Sequence, residues 1–200
     1  KMNELRQSGN NGALNGVRKL CHSDKLAQSA HIQSKYQAQM GQMTHDNPLD
    51  IAGRMLAVGF SVKDGLAAEN VGREPFAGGL NGQRMFEQWR DSPSHLENMM
   101  NGNYNFVGIS VVQPEPVNGV PSSGDWFWTV HFAAGTPNEI CNDPEINNNN
   151  TNADIPTSLP PAQHTGFATT STPSSAIVSE LNRNIENLMA TTNTTAGPAS

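Results

Sequence analysis

Residues 85–112, MFEQWRDSPSHLENMMNGNYNFVGISVV, set the order of the elements at the centre of this chain. A helix predicted over about 79–89 is stopped by the turn-forming residues that follow it. Ser92 then stands as the N-cap of a second, short helix with Pro93 at its first position, where proline has no helical N–H to lose. The alternating, β-branched residues 105–113 predict a strand. The stretch therefore predicts two consecutive helices followed by a strand.

Two longer elements flank this centre. Apolar residues recur at helical spacing over 24–43, and the aromatic and β-branched residues of 125–134 predict a second strand with two distinct faces. The apolar face of the helix comprises Leu26, Ala30, Ile32, Tyr36, Met40 and Met43. The strand places Trp126, Trp128, Val130 and Phe132 on one face and Phe127, Thr129, His131 and Ala133 on the other. Helices first and an antiparallel hairpin last indicate an α+β layered domain.

Composition and charge exclude several classes of protein. The chain has 200 residues, of which 36% are apolar and only 15% are charged. Its 12 Lys and Arg residues and net charge of −6 provide no basic stripe for phosphates, so no nucleic-acid partner is expected. No run approaches the ~18 consecutive apolar residues of a membrane span, so no integral membrane segment is expected.

The composition changes after Cys141. Residues 142–200 hold one basic residue and five acidic residues, and thus carry −4 of the net charge of −6. Their richness in Asn, Ser, Thr and Pro predicts a low-complexity linker or tail. Helical spacing of apolar residues predicts one short helix within it, over 174–190. The folded domain is accordingly assigned to 1–141.

Two cysteines, Cys21 and Cys141, bracket the part of the chain that is predicted to fold. Two free, buried cysteines would be ordinary in an intracellular protein. The position of the pair and the extracellular type of composition favour a disulfide instead. Such a bond would tie the early loop to the last strand.

No nucleophile elbow, Walker A loop, H-E-x-x-H, C-x-x-C or dinucleotide fingerprint is present. The candidates for chemistry are His45 after the long helix, Glu69 before a predicted turn at Gly72, His95 in the first turn of a helix, and His131 on the last strand. Two imidazoles and a carboxylate facing one cleft would make a divalent metal site with open water positions. The alternative is that these side chains are merely hydrogen-bonded or solvated.

The order of six fragments resembles the CAP superfamily of cysteine-rich secretory, antigen 5 and pathogenesis-related proteins. The resemblance covers residues 3 to about 134. Its strongest blocks are A-E-N-V and W-x-x-S-P-x-H, the second of which is similar to one branch of the superfamily. The fragments are NELRQ, KLAQSAHIQSKYQAQM, THDNP, GLAAENVG, MFEQWRDSPSHLENMMNGNYNFVGISVV and WFWTVHFA.

This resemblance implies a three-layer α-β-α sandwich with a central antiparallel sheet in a secreted, extracellular protein. It also implies that His45, Glu69 and His95 face one cavity that can hold a divalent cation, Zn or Mg. Where another branch has a second cavity glutamate, this chain has Ser92. Asp91, His131 or water would then have to complete the ligand set.

Fold resemblance constrains function weakly. The first hypothesis is a secreted protein that binds a sterol or other small lipid, which suits the many methionines. The second is a metal-dependent hydrolase that uses the same cavity. The third is an extracellular effector or surface protein that acts through a protein partner.

Overall fold

The structure is a computed structural model that describes residues 1–8, 17–114, 124–143 and 146. Nearly all of the predicted tail, including the helix over 174–190, lies outside these residues. The elements of the described part are α1 (Met2–Ser8), β1 (Cys21–His22), α2 (Asp24–Met40), α3 (Ile51–Ala57), β2 (Val62–Glu74), α4 (Gly82–Arg90), α5 (Pro93–Met100), β3 (Phe106–Val112) and β4 (Trp126–Gly135), with a 3-10 turn at Phe76–Gly78.

The predicted helices and strands are present, with shifted ends. Helix α2 begins after Ser23, whose side chain accepts a hydrogen bond from the Leu26 amide. It ends three residues earlier than predicted because Gly41 adopts the left-handed conformation, φ 62°, which glycine tolerates. Helix α5 begins with Pro93 at its first position, as predicted.

The four strands form one sheet in the order β1-β3-β4-β2. Strands β3 and β4 are antiparallel, as are β2 and β4, but β1 runs parallel to β3. The three long strands thus form the expected antiparallel sheet, and the short β1 adds one parallel pair at its edge, so that the whole sheet is mixed. The parallel strand has only two residues, too few for any alternation to show in the sequence.

Helices cover both faces of this sheet, which confirms the three-layer sandwich. Trp128, Val130 and Phe132 of β4 belong to a core cluster with residues of α4 and α5. On the opposite face, Thr129 Oγ1 lies 2.9 Å from Ser34 Oγ of α2. The two predicted faces of the last strand therefore pack against different layers of helices.

Close contact between α2 and β3 depends on Gly108. A Cβ at this position would lie 2.1 Å from the Ala27 nitrogen and 2.1 Å from the Leu26 carbonyl carbon. Because both are backbone atoms, they could move only if the helix moved away from the sheet. We expect Gly108→Ala to lower the free energy of unfolding by about 1–3 kcal/mol, the range of overpacking substitutions.

Chemical denaturation of the full chain measures this effect. Gly102→Ala is the matched control, since a Cβ there would come no closer than 3.6 Å to Val17. Equal unfolding midpoints for the two variants would contradict the close packing of α2 on β3.

The predicted disulfide between Cys21 and Cys141 is confirmed. Next to the disulfide, the backbone is also hydrogen-bonded: the Asn142 amide donates to the His22 carbonyl at 2.9 Å. Residue 142 is thereby held beside β1. Across the described ranges, we find no helix with the length and apolar character that would cross a membrane.

Candidate functional site

The site is built around the side chain of Glu69, which is 1% exposed. Glu69 lies within β2, directly opposite His131 of β4. The turn predicted after Glu69 is wrong, because Asn70 to Gly72 continue the strand. The alternation of strand residues, and not a turn, therefore aims this carboxylate at the helices.

Both oxygens of the Glu69 carboxylate are hydrogen-bonded. His45 Nδ1 donates to Oε1 at 2.9 Å, while Arg54 Nη2 and His131 Nε2 donate to Oε2 at 2.6 and 2.8 Å. Arg54 comes from α3 and is itself 1% exposed on its side chain. Its role was missed from the sequence, since an arginine in a seven-residue helix gives no signal of a partner on a distant strand.

These contacts set the protonation of the site. Burial opposes ionisation of Glu69, but hydrogen bonds from His131 and His45 and the charge of Arg54 more than offset it, so that the pKa of Glu69 is lowered to about 2. The hydrogen bond to Glu69 raises the pKa of His45. Burial lowers the pKa of His131. The carboxylate is thus ionised and the buried imidazole neutral near pH 7.

His131 supports Glu69 from inside the fold. Its side chain has no exposed surface, so it does not line an open cavity. Since Nε2 carries the proton that is donated to Glu69, Nδ1 accepts a hydrogen bond from Ser29 Oγ of α2 at 2.9 Å. Asp91, the carboxylate that was predicted as an alternative to His131 in the ligand set, is paired at the surface with Arg90.

His95 and Ser92 form a second pair at the start of α5. His95 Nδ1 lies 2.8 Å from Ser92 Oγ. The His95 carbonyl accepts a hydrogen bond from Asn70 Nδ2 at 3.1 Å, which joins α5 to β2 beside Glu69. Burial and the charge of the neighbouring His45 lower the pKa of His95. The structure therefore brings His45, Glu69 and His95 into one region, but each imidazole has its own partner.

An open groove of about 450 Å³ adjoins this second pair, between β2 and the helices α4 and α5. Most of its wall is apolar, and Trp89 anchors it by donating from its indole nitrogen to the Val71 carbonyl at 2.9 Å. We call it the Trp89 groove. It is lined by Met43, Val71, Gly72, Arg73, Pro75, Met85, Gln88, Trp89, Ser92, His95 and Asp125.

A second groove of about 620 Å³ lies on the opposite layer, between α2 and β3. We call it the α2 groove. It contains no member of the Glu69 site. It is lined by Asp24, Ala27, Gln28, His31, Ile32, Val58, Ile109 and Ser110.

The arrangement around Glu69 does not fit a divalent cation. Its negative charge is already opposed by the buried guanidinium of Arg54 at 2.6 Å. The buried Nε of Arg54 has no hydrogen-bond partner among the described residues. Because this N–H group is a donor, it can bind an oxygen atom but cannot coordinate a metal ion. Within the same residues, no three His, Cys, Asp or Glu side chains are placed to hold a metal ion. A Zn or Mg ion at His45, Glu69 and His95 stays a prediction without geometric support.

The three layers of helices and sheet form an α+β fold that is consistent with known CAP, or SCP, domains. The chain belongs to the cysteine-rich secretory protein family, CAP, whose sequence profile matches residues 1–132. Its assignment to the W-x-x-S-P-x-H branch stays a prediction.

Two solved structures resemble the chain in fold. One is an outer surface protein from Borrelia burgdorferi, at 19% identity and TM-score 0.53, covering 68% of this chain and 87% of that protein. The other is an extracellular protein containing an SCP domain from Bacillus anthracis, at 21% identity and TM-score 0.50. That match covers 66% of this chain but only 37% of the Bacillus protein. A comparison with curated proteins found no significant match.

Proposed function

We propose that this protein is an extracellular binding protein that holds the apolar part of a small lipid, a sterol or a fatty acid, in the Trp89 groove. The observation that carries the proposal is the groove itself, with its apolar wall and the hydrogen-bonded pair of Ser92 and His95 in its lining. The metal site is not needed for this function.

The size and chemistry of the groove support a lipid. Its volume of about 450 Å³ lies within the about 300–1,000 Å³ of small-molecule sites. Such sites combine an apolar wall with a few polar groups that fix orientation. The aliphatic part of the ligand would cover the exposed side chain of Met43, and its polar end would bond to Ser92 or His95.

Methionine supplies the adaptable part of the wall. Met85 is buried against Gly72, whereas Met43 is 49% exposed. Covering such apolar surface with a ligand gains roughly 25 cal/mol per Å². The unbranched thioether of methionine conforms to ligands of different shape, which suits a lipid-binding surface.

The disulfide supports the extracellular location. Cys21 and Cys141 are bonded, and bonds of this kind persist in oxidising compartments. The two structural neighbours are an outer surface protein and an extracellular protein, which agrees with the same location.

Two neighbouring methionines provide a matched test. Met43 lines the Trp89 groove, and Met40, at 56% exposure, does not. We expect Met43→Glu to weaken binding of a fluorescent fatty acid or sterol to the full chain at least about tenfold, a cost of about 1.4 kcal/mol. A carboxylate at this position would lose its water when the apolar ligand binds. Met40→Glu should leave the affinity within about twofold of wild type, since ~0.4 kcal/mol is the ordinary scale of surface substitutions.

Fluorescence titration with both probes measures the effect. Equal losses in the two variants would place the lipid elsewhere. Failure of the wild-type chain to bind either probe at micromolar concentration would reject the proposed function.

A further inference from the structure

The side chain of Ser92, the N-cap residue of α5, does not bind a backbone amide, unlike the N-cap side chains of α2, α3 and α4. The side chains of Ser23, Asp50 and Asn81 each accept a hydrogen bond from a backbone amide of the helix they precede. Ser92 has the extended backbone of an N-cap, φ −101° and ψ 118°, but makes no such bond. Its hydroxyl lies 2.8 Å from His95 Nδ1 instead. The stabilisation of about 1 kcal/mol that a cap usually gives is thus forgone for a bond to an imidazole.

This pair is held in place by its backbone. The His95 carbonyl accepts from Asn70 Nδ2 of β2, and Asn70 Oδ1 accepts in turn from Asn98 Nδ2 of α5 at 2.9 Å. Both Ser92 and His95 are in the lining of the Trp89 groove, and both are half-buried. The pair therefore stands on a fixed helix end, within reach of a ligand in the groove.

A hydroxyl bonded to an imidazole is a nucleophile with its base. With the imidazole proton on Nε2, Nδ1 accepts the hydrogen bond of the Ser92 hydroxyl. The pair also lies at the N-terminal end of α5, where the helix dipole favours a developing negative charge. These features exceed what a lipid-binding groove requires.

We propose that Ser92 and His95 are a nucleophile and general base that hydrolyse neutral carboxylic esters whose acyl chain lies in the Trp89 groove. The binding of the acyl chain in this groove rests on the proposed function, whereas the hydrolysis of the ester goes beyond it. Ser92 Oγ bonds to the ester carbonyl carbon while its proton passes to His95 Nδ1. The bond from that carbon to the alcohol oxygen breaks, and the alcohol leaves with the proton. A water oxygen then bonds to the acyl carbon while His95 takes a proton from the water. The bond from that carbon to Ser92 Oγ breaks, Oγ takes the proton back from His95, and the carboxylic acid leaves.

An organophosphorus probe tests whether Ser92 is a nucleophile, and the test does not depend on lipid binding in the Trp89 groove. Diisopropyl fluorophosphate reacts with activated serines, and peptide mass spectrometry locates the adduct on the full chain. We expect the adduct on Ser92 in wild type and its absence in Ser92→Ala. His95→Gln should slow labelling at least about 100-fold, the lower end of general base contributions. Ser94→Ala, the exposed serine two residues away, should label at the wild-type rate.

Hydrolysis of p-nitrophenyl octanoate by the same four proteins gives the second readout. We expect turnover by wild type and Ser94→Ala, and none above the uncatalysed rate by Ser92→Ala. Since the Ser92 side chain caps no amide, Ser92→Ala should have the unfolding midpoint of the wild type. An unchanged midpoint would show that the variant loses activity without losing its fold.

The outcomes separate the two proposals. No adduct on Ser92 in wild type, or ester hydrolysis that persists in Ser92→Ala, overturns the nucleophile even where lipid binding is intact. An adduct on Ser92 in a chain that binds neither fluorescent lipid supports the nucleophile and rejects the lipid-binding function.

Discussion

Glu69→Gln is expected to destabilise the protein by about 3–5 kcal/mol, the cost of breaking a buried ion pair from one side. The substitution leaves the guanidinium of Arg54 charged and buried. It also places an amide NH₂ group among three donors, from His45, Arg54 and His131, where two carboxylate oxygens had accepted. Neither loss can be relieved by water, because the side chains of Glu69 and Arg54 are each only 1% exposed.

The same residue gives the stability a defined pH dependence. The pKa of Glu69 in the folded protein, about 2, lies below its ordinary value of 4.5. The contribution of the ionised carboxylate is therefore fully present above pH 4.5 and is lost as the pH falls from 4.5 toward 2. The difference in unfolding free energy between wild type and Glu69→Gln should shrink over that interval.

Denaturant titrations at pH 7 and at several pH values below 4.5 measure both effects. Glu97→Gln is the control, because Glu97 is an exposed carboxylate on α5. Adding Arg54→Met to Glu69→Gln should recover part of the lost stability, since it removes the unpaired charge. A Glu69→Gln variant as stable as Glu97→Gln would show that the buried network does not support the fold.

Reduction of the bond between Cys21 and Cys141 is the second large effect. The bond spans 120 residues, and a closure of that length limits the unfolded chain strongly. We expect the reduced protein to be about 2–4 kcal/mol less stable than the oxidised one, below the ~5 kcal/mol ceiling of the chain-entropy model. The loss follows from the greater freedom of the reduced, unfolded chain.

Unfolding with and without dithiothreitol measures this loss. The double variant Cys21→Ala, Cys141→Ala controls for other effects of the reductant and should unfold at the same midpoint in both buffers. Equal midpoints for the oxidised and reduced wild-type protein would mean that the bond does not limit the unfolded chain.

Regular patterns allowed much of the fold to be predicted. The last strand is packed on both faces, so it stands out in the sequence as a nearly continuous run of large aromatic and β-branched side chains. Pro93 marked the start of α5 because few other positions in a helix accept proline. By contrast, α1 and α3 have seven residues each, about two turns, which is too short for a periodic pattern.

The candidate site was harder to predict, because its contacts join distant parts of the chain. Glu69 was identified as a site residue, but its strand was missed since none of the residues directly before it, Gly65 to Ala68, is β-branched. The partners Arg54 and His131 lie 15 and 62 positions away. Ser92 was predicted as an N-cap and as the residue that replaces a cavity glutamate, but its bond to His95 was not predicted.

The most direct test of lipid binding in the Trp89 groove is photocrosslinking with a diazirine-bearing fatty acid, followed by peptide mass spectrometry of the full chain. We predict adducts on the exposed lining residues Met43, Arg73 or Gln88, and their loss in the Met43→Glu variant. Adducts on Ile32 or Ile109 of the α2 groove, or adducts that Met43→Glu leaves unchanged, would contradict it.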